Sequence, residues 1–124
     1  MKFISKDLAI KLKEKGFNKP CFGWYDPNIS RENIYFTPTI SQVLKWLRDE
    51  KNVHIGIVPY FTMSTKNNIM WQWEILLIGK IIECKNTLYV DKDYNYTKFA
   101  SADCYANYED ACICAIEFVV NNLI

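Results

Sequence analysis

The stretch Thr39-Ile40-Ser41-Gln42-Val43-Leu44-Lys45-Trp46-Leu47-Arg48-Asp49-Glu50-Lys51-Asn52-Val53-His54-Ile55-Gly56-Ile57 carries two hydrophobic periods that meet at Asn52. Before Asn52, Ile40, Val43, Leu44 and Leu47 follow the i, i+3, i+4, i+7 spacing of one helix face. Thr39 and Gln42 stand at N-cap and N3, the pairing in which each side chain can satisfy the other's backbone N–H. Ser41, Lys45, Arg48 and Asp49 fall on the water side, and Trp46 lies beside the stripe, where it can cover a neighbouring element. After Asn52 the period becomes two: Val53, Ile55 and Ile57 alternate with His54, Gly56 and Val58 until Pro59 interrupts the ladder. A helix followed at once by a strand is predicted.

Toward the C-terminus, Thr62–Asn68 reads as a polar turn and Ile69–Ile78 as the longest strand. Trp71, Trp73, Ile75 and Leu77 share one face; the other runs from polar Gln72 and Glu74 to apolar Leu76 and Ile78, so one end is expected to be covered and the other open. Ile81–Cys84 and Thr87–Val90 are further strand candidates around a turn at Lys85-Asn86, whereas 91–107 is polar and shows no clear period. Asn107 caps a last helix whose first turn holds Glu109 and Asp110, acids suited to the helix dipole. Cys112, Ala115, Ile116, Val119, Val120 and Leu123 form its apolar stripe.

Toward the N-terminus, Ser5 caps a helix ending near Lys15, with Leu8 and Leu12 inward. Gly16 takes the left-handed C′ position, and Phe17 can fold back on Leu12. Pro20–Tyr25 and Ile34–Thr37 read as a hairpin separated by Asp26-Pro27-Asn28 and a polar loop. The order is α-β-β-α-β-β-β-α: one α+β domain over 1–124, with a mostly antiparallel sheet of about 4–6 strands and three helices on one face.

Fifteen basic and fourteen acidic residues leave a net charge of +1, so no global field draws the chain to bulk nucleic acid or an anionic membrane. The first twenty residues hold six lysines and the last forty are acidic, which reads as two solvated faces or as a lysine face for an acidic partner. The start lacks the apolar segment of an export signal, and the longest apolar run, Ile75–Ile78, is far too short for a membrane span. Cytosol is the expected compartment, and the five cysteines are expected to be reduced thiols.

Chemical motifs are sparse. His54 is the single histidine, and no cysteine pair has the two-to-four-residue gap of zinc ligands. A Cys–His nucleophilic pair has nothing local to select it. Asp91-x-Asp93-x-Asn95 matches the start of a calcium loop, but Tyr96 replaces the required glycine and Ala102 the bidentate glutamate. Catalytic residues, metal ligands and cofactors are therefore expected to be absent.

Aromatics are the unusual feature. Trp24-Tyr25 and Tyr35-Phe36 are consecutive on strand candidates, which places a ring on each face of the sheet. One ring of each pair must meet something beyond the helix-covered core. Trp24, Tyr25, Tyr35, Trp71 and Trp73, with Arg48 as a cation, are the expected binding residues for a protein partner or a second copy of the chain. The alternative is a small nucleotide, its base stacked on these rings and its phosphates held by cations and helix N-termini.

Residues 38–57 and 107–124, with the Gly16-Phe17 and Pro20-Cys21-Phe22 that follow the first helix, resemble a recurring group of small uncharacterised proteins of Bacteroides-type gut bacteria, their phages and integrated elements. These motifs are structural and transfer no active site. The resemblance implies a phage or mobile-element accessory protein, for which the cytosol of a bacterial host is the expected compartment; the nucleotide alternative would make the chain an anti-defence protein that sequesters a nucleotide signal.

Overall fold

The computed structural model describes residues 3–19, 23–24, 35–36, 38–61 and 68–124. The elements in chain order are α1 (Lys6–Glu14), β1 (Gly23–Trp24), β2 (Tyr35–Phe36), α2 (Ile40–Lys51), β3 (Val53–Tyr60), β4 (Met70–Ile78), β5 (Thr87–Asp91), β6 (Tyr96–Ala100) and α3 (Tyr108–Asn122).

Each helix starts where its cap predicts. Ser5 Oγ accepts from Leu8 N–H at 3.2 Å, and Asn107 Oδ1 from Asp110 N–H at 2.8 Å. Thr39 completes the full box: its Oγ1 accepts from Gln42 N–H at 3.2 Å while its own N–H donates to Gln42 Oε1 at 2.8 Å. The ends follow the same logic. Gly16 adopts φ 103°, and Phe17 N–H reaches back to Leu12 O at 3.0 Å, burying the ring. Asn52 takes a left-handed φ of 54° and turns α2 directly into β3.

The main sheet is antiparallel throughout in the order β3-β4-β6-β5, and β1 pairs with β2 in a separate two-stranded piece. Register sets the two faces. Val53, Ile55 and Ile57 lie opposite Leu77, Ile75 and Trp73, and Ile75 and Leu77 lie opposite Phe99 and Thr97. This face is covered by helices: Leu12 from α1, Val43 and Leu47 from α2, and Ile116 and Val119 from α3 join Val53, Ile75 and Phe99 in one core. The other face carries His54, Gly56 and Val58 on β3, Glu74, Leu76 and Ile78 on β4, and Tyr96 and Lys98 on β6.

Ile78 N–H donates to Asn52 O at 3.0 Å, which fixes the phase of the β3–β4 ladder. His54, Gly56, Val58 and Tyr60 then bond to β4, and the backbone of Val53, Ile55, Ile57 and Pro59 faces the outer side of β3. The N–H that Pro59 lacks is therefore one the ladder does not use.

The strand order differs from expectation in two places. Ile81–Cys84 is not a strand: Gly79, at φ 88°, turns the chain out of β4, and hydroxyls then take over the backbone. Buried Thr97 Oγ1 accepts from Ile82 N–H at 3.2 Å and donates to Lys80 O at 3.1 Å, while Thr87 Oγ1 accepts from Cys84 N–H at 2.8 Å. Conversely, 91–107 contains β6, a central strand. The Gly23–Trp24 and Tyr35–Phe36 pairing agrees with the expected hairpin; the rest of that hairpin and the expected turn over 62–67 lie outside the described residues.

Candidate functional site

The face of the sheet that no described element covers holds a depression of about 490 Å³. Leu76 lies at its centre, with His54 across β3 and Lys98 across β6. Ile78 and Tyr96 form one end, and Gly56 and Glu74 face each other at the other. Gly56 leaves the floor bare: a Cβ there would meet only Glu74 O, at 4.0 Å.

Tyr94 closes the Tyr96 end from the β5–β6 turn. Asp91 Oδ1 accepts from the N–H groups of both Asp93 and Tyr94 at 3.0 Å, and Asn95 takes φ 56°, so the short loop has a fixed shape. Tyr94 is 79% exposed. Tyr89 extends the aromatic edge, its ring 5.9 Å from that of Tyr96. Asp91 beside Tyr89 holds that phenol above its usual range. The calcium-like motif thus serves as a hairpin turn whose leading carboxylate is taken up by backbone amides.

The charged part of the depression is one pair. Lys98 Nζ lies 3.5 Å from Glu74 Oε2, both side chains about 40% exposed, a geometry that contributes little to stability. Among the described residues no hydrogen bond satisfies the Glu74 oxygens beyond that contact.

The expected binding residues are not assembled here. Trp73 is 4% exposed in the core, its ring 5.0 Å from Phe118, which corrects its assignment to a surface. Trp71 is on the same helix-covered face, half-buried and edge-on to Tyr108 at 5.4 Å. Arg48 is exposed on α2, in the helix layer on the far side of the sheet. Trp24 and Tyr35 pair through their backbones in β1 and β2, and Tyr25 lies outside the described residues. The apolar end of the second β4 face, Leu76 and Ile78, has no element over it among the described residues and instead floors the depression. The visible signal for this site was Tyr94-x-Tyr96-x-Lys98, a period of two inside the stretch without a clear period.

Under Trp73, the Tyr105 hydroxyl is pushed up to about 12 by burial and by the neighbouring Cys114 thiol. It lies near Trp73 Nε1, which completes no hydrogen bond among the described residues. Reciprocal backbone bonds of 2.8 and 2.7 Å between Trp71 and Tyr105 hold this corner to β4. Burial raises the Cys112 thiol above its usual range, a state unfavourable for a nucleophile. Cys84, Cys104, Cys112 and Cys114 are free, and no group of three or more His, Cys, Asp or Glu among the described residues is placed to hold a metal. Nor is any described helix long and apolar enough to cross a membrane.

Compared with known proteins, the chain matches no family model, no curated protein and no solved structure.

Proposed function

We propose that this chain is a non-catalytic binding protein whose recognition surface is the uncovered face of the sheet, and that its partner is a protein. One observation carries this reading: Leu76, Ile78, Tyr94 and Tyr96 surround a depression that no helix of the described residues covers. Sheets of this kind leave one face to water and make it polar; an apolar, aromatic uncovered face is the mark of an interaction site. The resemblance of residues 38–57 and 107–124 supports placing that role in a phage or mobile-element accessory protein of a bacterial cytosol. The nucleotide alternative gains no specific support here, because the Lys98 cation facing the depression already stands beside Glu74.

The test is site-specific photo-crosslinking in bacterial cells, with the probe at Leu76 or, as a control, at exposed Lys13 on α1. Discrete protein adducts from position 76 that are absent from position 13, and lost on Ile78→Asp, are expected. Equal adducts from both positions, or none from 76, would refute the assignment.

A further inference from the structure

We infer that the depression is an anchor site for a single tryptophan side chain presented by the protein partner; the inference rests on the proposed recognition face. The occupant follows from three features. First, the floor at Gly56 is bare, so a flat group can lie against the backbone without displacing a side chain. Second, Leu76 and Ile78 on the floor and the rings of Tyr94 and Tyr96 at one end supply an apolar and aromatic lining, suited to a ring that buries roughly 150–250 Å². Third, Glu74 presents a carboxylate at the bare end with no hydrogen bond among the described residues, its contact being Lys98 at 3.5 Å. Carboxylates only accept, so a group lying there can bond to Glu74 only as a donor.

Charge narrows the choice. Glu74 and Lys98 bring one charge of each sign to the depression. An arginine or lysine would meet Glu74 only by crowding Lys98, and a carboxylate or phosphate would meet Lys98 only by crowding Glu74. An uncharged ring with a donor at its edge offends neither. Phenylalanine has no donor. Indole has the ring, the area and an N–H that donates and cannot accept. Tryptophan is also among the residue types that most often dominate protein interfaces.

N-acetyl-tryptophanamide is the probe, titrated into the full chain while backbone amide resonances are followed. Saturable shifts at Gly56, Glu74, Leu76 and Tyr96 at millimolar concentrations are expected, the range open to one side-chain-sized ligand. The 1-methylindole analogue, which lacks the donor, is expected to bind about tenfold more weakly, and Glu74→Gln to remove that difference between the two probes. Gly56→Val, which fills the floor, is expected to abolish the shifts while the rest of the spectrum stays folded. A short tryptophan-bearing peptide should bind more tightly than the amide, whereas a free indole binding as tightly as the peptide would point to a small metabolite and overturn the protein source. Equal binding of the amide and its N-methyl analogue, or no shift at these four residues, would overturn the anchor. If position 76 crosslinks a protein in cells and the tryptophan probe still fails, the recognition face stands and only the anchor falls.

Discussion

Gly56 stands opposite Glu74 in the β3–β4 ladder, so the carboxylate has no side chain beside it on the edge strand. A glycine within a strand is a weak choice for folding, since it packs nothing and loses the most backbone freedom. Among the described residues the space around it is open, and a Cβ there would meet only Glu74 O, at 4.0 Å. Gly56→Val should therefore raise unfolding stability, by about 0.5–1 kcal/mol, while removing the depression. Urea denaturation measures the first effect. A loss of stability would mean that the floor is already occupied.

Thr39 closes both halves of the capping box at the start of α2 and is itself buried. Thr39→Ala is expected to cost about 1 kcal/mol, with Thr39→Ser recovering most of it. A midpoint shift in urea at unchanged slope is the readout.

Phe99 is fully buried under α3, its ring 5.6 Å from that of Phe118. Phe99→Ala should cost about 3–5 kcal/mol, comparable with the whole stability of many small domains. Calorimetry is expected to show a transition lowered far more than for the exposed control Tyr94→Ala.

Thr97 organises the segment after Gly79 through one accepted and one donated hydrogen bond. Thr97→Val keeps the shape and removes both. The expected cost is about 1–3 kcal/mol, the range for leaving a buried polar group unpaired. Hydrogen exchange should accelerate at Ile82 while the amides of β3 remain protected. Uniform acceleration would show that Thr97 acts on the whole sheet rather than on this segment.

Tyr105 gives a pH dependence of defined sign. Its phenol is raised from 10.0 to about 12 by burial and by the neighbouring Cys114 thiol, so the folded state holds the proton more tightly than the unfolded one. The associated stability is fully present below pH 10 and is lost as pH rises from about 10 to 12. Stability measured across that window should fall less steeply in Tyr105→Phe than in the parent chain. Parallel slopes would refute the assignment.

The helices were legible because their information is local. Ser5, Thr39 and Asn107 mark their starts with a side chain and an amide a few residues apart, and Gly16 and Asn52 mark their ends by backbone conformation. The alternation of β3 and β4 was equally local. Ile81–Cys84 misled because Ile82 packs against the core without a ladder, its amide bonded to Thr97 and that of Cys84 to nearby Thr87. β6 was hidden because its pairs with β4 are distant in sequence, from Ile78 with Tyr96 to Glu74 with Ala100, and only Thr97 and Phe99 face inward. Which rings stay exposed was hidden for a related reason. Trp71 and Trp73 were assigned correctly to one side of β4, but which side the helices cover depends on long-range packing. The core took Trp73 and left Tyr94 outside.

Pro59 carries a consequence for how anything can approach this molecule. A foreign strand laid along the outer margin of β3 would find donors at Val53, Ile55 and Ile57 and then a gap where the fourth should be. Lengthening the sheet sideways along this margin, the route to fibre-like stacking, is thus checked within a few residues. The opposite margin, β5, carries no proline and has no such break in its row of donors.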